Sequence, residues 1–182
     1  DVGRFDRQTQ ANFEAANIGV PWDLALQPIF DAKCVSCHGP DNVAGVPSYT
    51  ITDDEGNSQT VAFDLSGTEI SYGTGEDMVS GYSASHLALI GPNMEDLEDL
   101  GLTITGDMTI YVESENAAGS PLIQKMNPPV QYPTVDMNVR AFDITGDQHE
   151  GMLTAGEYRL LIEMADNGGQ FYSRENAPGT TY

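Results

Sequence analysis

One short stretch of the chain carries residues whose types and spacing point to a specific chemistry. Cys34 and Cys37 are separated by two residues and His38 follows directly, giving C-x-x-C-H, the pattern for covalent attachment of a c-type haem. Two thiols one helical turn apart can add across the two vinyl groups of the porphyrin, and the next side chain can then bind the iron. The sequence therefore predicts haem c held by Cys34 and Cys37, with His38 as the proximal iron ligand.

Two other chemistries use a pair of cysteines at this spacing. A thioredoxin-like redox pair needs a βαβ context, and a zinc site needs further Cys or His ligands at short spacing. The chain contains 2 cysteines and 3 histidines in all, and neither context surrounds the pair. Haem attachment is favoured because it alone gives the adjacent His38 a role.

The charge composition limits the classes of molecule that the protein is expected to bind. The 182 residues fit one domain with a core of its own. Seven Lys and Arg residues stand against 28 Asp and Glu residues, for a formal net charge of -21. Such a charge repels nucleic acid and anionic membrane surfaces and favours a basic redox partner or a saline medium. A solvated surface adapted for solubility explains the same charge equally well.

The sequence also predicts where the protein is located in the cell. No stretch of apolar residues is long enough to span a bilayer, and the first residues lack the basic start and apolar run of a signal peptide. Because c-type haem is attached outside the bacterial cytoplasm, the motif predicts a periplasmic or extracellular protein from which the signal peptide has been removed.

Helical signals flank the haem motif and recur near the end of the chain. Residues 1–21 are predicted to form an N-terminal arm, and a helix from about Pro28 is predicted to carry the two cysteines. A short helix is predicted to begin at Ser120 and Pro121. A longer one over 153–165 opens with the capping box formed by Thr154 and Glu157.

Between these helices, residues 46–112 are predicted to form a loop and β-rich insertion. Strands at 49–52 and 60–63 read as a hairpin with an acidic turn at 53–57, which lacks the ligand spacing of a calcium-binding EF-hand and is interpreted as a solvated tip. Two further strands are expected at 102–105 and 108–112, and residues 68–81 are expected to be a flexible loop. His86, in a Ser-rich segment with no predicted helix, is interpreted as a surface or structural residue.

The order of these motifs resembles a monohaem cytochrome c domain. More narrowly, the chain is similar to the cytochrome c domains of large secreted bacterial proteins, including those like the hydrazine synthase α-subunit. The segments that carry this resemblance are Gln27–Phe30, Cys34–Gly39, Phe63–Gly67, Ser120–Leu122, His149–Thr154 and Gly169–Tyr172.

The resemblance implies a fold and a class of function. The expected fold is mainly α, a cytochrome c-like helical core around the covalent haem, in a single domain over residues 1–182 with the β-hairpin as an insertion. The expected protein is an electron carrier rather than an enzyme. Hydrazine chemistry is not implied, because function does not follow from fold.

The sixth iron ligand has four candidates, and an open sixth position is a further alternative. In the ordinary cytochrome c pattern it is a methionine between the last two helices, and Met126, Met137 and Met152 lie at suitable distances in sequence. The resembling domains often carry a histidine a few residues before the C-terminal helix, which favours His149 narrowly over the three methionines. A bis-His site would have the lower reduction potential, since methionine ligation favours ferrous iron.

Three functions from different classes are therefore open. Electron transfer is favoured, because the chain shows no recognisable acid–base or nucleophile constellation. The alternative is a haem enzyme or gas-binding sensor with a displaceable sixth ligand, for which His86 or Arg140 could supply distal polar groups. The third is a structural or docking domain in which the haem mainly stabilises the fold.

Overall fold

The computed structural model describes residues 20–75, 78–126, 149 and 151–168. The chain divides into two compact units. The helical unit comprises Asp1–Ile29 and Tyr111–Tyr182, and the sheet unit comprises Phe30–Ile110. The predicted arm at residues 1–21 lies almost wholly outside the described residues. The C-x-x-C-H motif belongs to the sheet unit.

Both helices and strands occur along the described chain. In chain order they are a π-helical turn Trp22–Leu26, α1 (Gln27–Lys33), a 3₁₀ turn Pro40–Asn42, β1 (Ser48–Thr52), β2 (Ser58–Ala62), β3 (Glu69–Tyr72), β4 (Val79–Ser83), α2 (Ala84–Leu89), α3 (Met94–Asp99), β5 (Thr103–Gly106), α4 (Pro121–Lys125) and α5 (Ala155–Asp166).

The expectation of a mainly α fold is wrong. Among the described residues 35% are helical and 19% lie in strands, and the strands form two antiparallel sheets. The five described strands fall within the 46–112 range expected to be β-rich. The strands are not an insertion on a helical core, because they supply most of the core of the sheet unit.

The larger sheet has the strand order β2-β1-β5 and confirms the predicted hairpin. Tyr49 pairs with Val61 across the hairpin, and Ile51 pairs with Ile104 of β5. Side chains alternate between the two faces of a strand, so every second residue enters the core. The buried cluster of this unit contains Tyr49, Ile51, Val61, Tyr72, Leu87, Leu97 and Leu102.

The tip of the hairpin is closed by the chain's own donors. The Asp53 carboxylate accepts hydrogen bonds from the Asn57 backbone N–H at 2.7 Å and from Asn57 Nδ2 at 3.0 Å. Thr74 Oγ1 donates to the same carboxylate at 3.2 Å. The Asn57 side-chain hydrogen bond, as the largest cause, lowers the pKa of Asp53. The acidic turn is therefore an exposed, hydrogen-bonded tip.

Two local predictions in this region are wrong. Residues 68–81, expected to be a loop, contain β3 and part of β4, which pair as a hairpin with an irregular register between Ile70 and Tyr72. The expected strand at 108–112 is absent from the described structure. Gly106 has φ +101°, and a Cβ there would lie 2.9 Å from the Ser48 carbonyl oxygen. β5 therefore ends at Gly106, which pairs with Tyr49 of β1.

The helical unit is built on α5. The predicted capping box is present: Thr154 Oγ1 accepts from the Glu157 N–H at 3.3 Å, and Glu157 Oε2 accepts from the Thr154 N–H at 2.7 Å. α5 packs against α4 and the π-helical turn. Tyr158 Oη donates to the carbonyl oxygen of Ile123 on α4 at 3.1 Å. Both predicted C-terminal helices are thus confirmed. No helix in the described part of the chain is long and apolar enough to cross a membrane.

The helix before the haem motif starts earlier than predicted. Trp22–Leu26 forms a π-helical turn, in which the N–H of Gln27 donates to the carbonyl of Trp22. Pro28 has no N–H, and its ring would clash with the carbonyl of Leu24 in a regular α-helix. A wider turn relieves that clash, which explains why π-helical geometry occurs immediately upstream of Pro28.

Candidate haem attachment site

The two cysteines lie on turns that continue from the end of α1. The α-helix itself ends at Lys33, so the prediction that it carries both cysteines is wrong by one turn. Helical bonding nevertheless persists: Cys34 N–H donates to the Phe30 carbonyl at 2.8 Å, and His38 N–H donates to the Cys34 carbonyl at 2.8 Å. Cys37 N–H also donates to the Cys34 carbonyl, at 3.0 Å. The motif is therefore held as a compact, ordered turn.

The exposure of the two thiols differs. Cys34 is half-buried and Cys37 is exposed, and no disulfide joins them. Ser36 between them is exposed, and its hydroxyl lies 3.9 Å from Cys37 Sγ. Both sulfur atoms belong to one turn, with Cys37 open to an approaching reactant.

Gly39 is required directly after the motif. It is buried, and a Cβ at this position would lie 2.5 Å from the Val35 carbonyl oxygen and 3.0 Å from Val35 Cγ1. Real Cβ atoms essentially never approach backbone oxygen so closely. Glycine therefore allows the chain to fold back tightly behind the motif and enter the 3₁₀ turn at Pro40.

His38 is held by a segment from beyond the β1–β2 hairpin. The N–H of Leu65 donates to the His38 carbonyl oxygen at 2.7 Å. The ring of Phe63 meets the His38 imidazole edge to face, with 5.2 Å between ring centroids. His38 is half-buried as a result, and both its backbone and its ring are restrained.

The segment Phe63–Gly67 is itself fixed by hydrogen bonds. Asp64 accepts from the Ser66 N–H at 2.8 Å and from the Ser66 hydroxyl at 3.0 Å, and both residues are buried. The Ser66 carbonyl accepts from the Ser85 N–H at the start of α2 at 3.1 Å. Sequence reasoning noted this segment as part of the resemblance but gave it no role. The Asp-x-Ser spacing, which favours a side-chain-closed turn, was the signal available.

His86 is buried within the sheet unit, at 4% exposure. It lies on α2, so the expectation that no helix fixes it is wrong. Ser83 caps this helix by accepting from the His86 N–H at 3.2 Å, and the His86 ring stacks on Tyr82 with centroids 5.3 Å apart. These contacts give His86 a structural place in the core, so of its interpretation as a surface or structural residue the structural half is confirmed and the surface half is wrong.

The candidates for the sixth ligand belong to the other unit. His149 and Met152 share a turn ahead of α5, where the Met152 N–H donates to the His149 carbonyl at 3.2 Å. Met152 is half-buried, and Met126 is buried at the end of α4. Met137 and Arg140 lie outside the described residues. The assignment of the sixth ligand thus stays a prediction.

A covalent haem fits the donor set of the motif. Within the described ranges, no three His, Cys, Asp or Glu residues converge on one point that could hold a bare metal ion. A c-type haem needs no such cluster, since the protein contributes two thioethers and one or two axial side chains. Cys34, Cys37 and His38 would supply two thiols and one imidazole to such a haem from a single restrained turn.

Comparison of the chain with protein-family models, with curated proteins and with solved structures finds no match.

Proposed function

We propose that the chain binds one c-type haem through Cys34 and Cys37, with His38 as the proximal ligand, and that it transfers electrons in the periplasm or outside the cell. The observation that carries this proposal is the presentation of C-x-x-C-H on one hydrogen-bonded turn, with His38 restrained by Leu65 and Phe63. A bound haem c supplies a one-electron ferric/ferrous couple.

The chain's own residues have distinct parts in this function. The thiols of Cys34 and Cys37 anchor the porphyrin, and the imidazole of His38 binds the iron. The Phe63 ring and the Leu65 amide contact His38 and would limit its movement as an iron ligand. Groups that orient a metal ligand in this way also tune the metal that it binds.

The charge of the sheet unit supports a docking role for the surface around the motif. In sequence, Lys33 is the single Lys or Arg residue between Phe30 and Ile110, whereas Asp and Glu are distributed throughout that range. Asp31 and Asp41, on either side of the motif, are exposed. Such a surface favours a basic redox partner by electrostatic steering.

The test is covalent retention of haem in protein produced with bacterial export and cytochrome c maturation. Haem should stay with the denatured chain under acid–acetone extraction. The double variant Cys34→Ala/Cys37→Ala should lose it, whereas Ser36→Ala, a change at the exposed residue between the two anchors, should retain it. Extraction of the haem from the unaltered protein would contradict the proposal.

A second measurement separates electron transfer from its alternative. A low-spin spectrum that carbon monoxide leaves unchanged, together with rapid electron exchange with small redox reagents, is expected for an electron carrier. Binding of carbon monoxide to the unaltered protein would instead support a gas-binding sensor or haem enzyme.

A further inference from the structure

A buried carboxylate lies at the centre of the segment that restrains His38. Asp64 is 8% exposed, and its two oxygens accept from the backbone and the hydroxyl of Ser66. A carboxylate that accepts from the N–H two residues later closes the backbone between them into a tight turn. Leu65 is the residue inside this turn, so the direction of its N–H depends on the Asp64 side chain.

The turn is anchored to the rest of the sheet unit at both ends. Upstream, the Phe63 N–H donates to the Pro47 carbonyl at 3.0 Å, just before β1. Downstream, Ser85 N–H donates to the Ser66 carbonyl, and the hydroxyls of Ser66 and Thr68 lie 2.9 Å apart. Movement of the turn would therefore have to break contacts with both the hairpin and α2.

The turn makes two contacts with the same histidine. Leu65 N–H reaches the His38 carbonyl, and the Phe63 ring meets the His38 imidazole. Phe63 and Leu65 are the two neighbours of Asp64 in the chain. The Asp64 carboxylate consequently links both restraints on His38 to a fixed scaffold, through Phe63 and Leu65.

We propose that Asp64 is a positioning residue for the proximal histidine, which sets the orientation of the His38 imidazole through Leu65 and Phe63. This inference rests on the proposed function, because it concerns the iron ligand. Groups that orient a metal ligand tune the metal as well as holding it. Loss of the Asp64 carboxylate should therefore change the electronic structure of the haem while the anchoring cysteines stay in place.

Three variants test the proposal. Asp64→Ala removes both acceptors. Asp64→Asn keeps an oxygen for the Ser66 N–H and an amide that can pair with the Ser66 hydroxyl. Asp54→Ala removes an equal charge from an exposed position in the hairpin turn. The measurements are the reduction potential and the paramagnetically shifted haem methyl resonances of the oxidised protein, whose pattern depends on the plane of the axial imidazole.

Asp64→Ala is expected to shift the potential and reorder the methyl resonances, with Asp64→Asn and Asp54→Ala remaining close to the unaltered protein. Wild-type resonances and potential in a folded Asp64→Ala variant would overturn the proposal, even if its thermal stability falls. Should Asp64→Ala fail to fold, Asp64→Asn is compared with Asp64→Leu, which has nearly the same shape and no acceptor. Equal methyl patterns in these two would also overturn it.

A measurement that does not depend on haem keeps the two proposals separable. The Leu65–His38 hydrogen bond can be followed in the purified protein by scalar coupling between the Leu65 amide nitrogen and the His38 carbonyl carbon. The iron of any bound haem is kept in the reduced, ferrous state for this measurement. Coupling that weakens in Asp64→Ala and persists in Asp64→Asn supports the positioning role, and unchanged coupling in Asp64→Ala overturns it. Absence of covalent haem from the unaltered protein would refute the proposed function separately.

Discussion

The imidazole of His38 and the ring of Phe63 meet almost perpendicularly, with an interplanar angle of 87°. Edge-to-face aromatic pairs contribute about 0.5–1.5 kcal/mol beyond the area they bury. Phe63→Leu should therefore lower the free energy of unfolding by roughly 1 kcal/mol, measured by denaturant titration. Phe63→Tyr keeps the ring and should stay near wild type. Equal stability of the two variants would show that the ring contact contributes nothing.

Gly39 gives a steric prediction with an internal control. In Gly39→Ala the new methyl group would overlap the Val35 carbonyl oxygen, so the turn behind the motif must shift. We expect the free energy of unfolding to fall by about 1–3 kcal/mol, the usual cost of overpacking. We also expect a smaller yield of haem-bearing protein. Gly156→Ala, in the first turn of α5 where a Cβ meets no atom within 4 Å, should instead stabilise by about 0.5–1 kcal/mol. Equal effects of the two substitutions on thermal unfolding would refute the steric argument.

His149 is predicted to be the distal ligand. His149→Ala should open the sixth coordination position, so that the haem becomes high-spin or binds carbon monoxide and its potential shifts. The matched control is His86→Phe, which keeps an aromatic ring stacked on Tyr82 and should change neither property.

An unaltered low-spin spectrum of His149→Ala would assign the ligand to a methionine. The same substitution would then be made at Met152, Met126 and Met137 in turn. A near-infrared charge-transfer band in the unaltered protein would point to methionine ligation before any substitution is made.

Tyr49 predicts how stability depends on pH. Its hydroxyl donates to the Leu87 carbonyl at 2.9 Å, and burial, with a smaller contribution from Tyr72, raises the pKa of this phenol. The folded state thus retains the proton after an unfolded tyrosine, with a pKa of about 10, has lost it. Stability should be unaffected at neutral pH and fall above about pH 10, by up to about 1.4 kcal/mol per pH unit.

The Tyr49→Phe variant isolates this effect. It removes the titrating hydroxyl and should reduce the alkaline slope of the unfolding free energy, while costing about 1 kcal/mol at neutral pH for the lost hydrogen bond. Denaturant titrations of the two proteins at neutral and alkaline pH measure the difference. Parallel curves above pH 10 would contradict a raised pKa at this residue.

The net charge of -21 predicts the ionic-strength dependence of electron exchange. Exposed charges are screened over about 10 Å at 0.1 M ionic strength. Stopped-flow rates with a cationic reagent such as hexaammineruthenium should therefore fall as salt is added, and rates with anionic ferricyanide should rise. If the rates with both reagents do not vary with ionic strength, the negative charge serves solubility and does not steer redox partners.

Local signals in the sequence predicted the elements that depend on local interactions. The capping box at Thr154 and Glu157 fixed the start of α5, and alternating residues on either side of the Asp53 turn predicted β1 and β2. Both signals act between residues close in the chain, where propensity and hydrogen bonding decide the structure.

The structural features that the sequence did not predict depend on contacts between residues that are distant in the chain. The β3–β4 hairpin was missed because its strands are short, the segments before and between them contain Gly67, Gly73 and Gly75, and the register is irregular between Ile70 and Tyr72. The sequence therefore shows no clear alternation of apolar and polar residues there. The motif at Cys34–His38 was evident from sequence, but the restraint on His38 by Leu65 was not. That hydrogen bond depends on the hairpin bringing its far end back to the motif, which no local pattern encodes.

The return of Leu65 to His38 also has a consequence for the order of folding. A chain that emerges from its N-terminus presents Cys34, Cys37 and His38 before the β1–β2 hairpin and Leu65 have been delivered. The hydrogen bond from Leu65 to the His38 carbonyl can therefore form only after the hairpin strands have been delivered and paired. Hairpins form in about 1–10 μs, so this restraint on His38 would follow the delivery of β2 without delay.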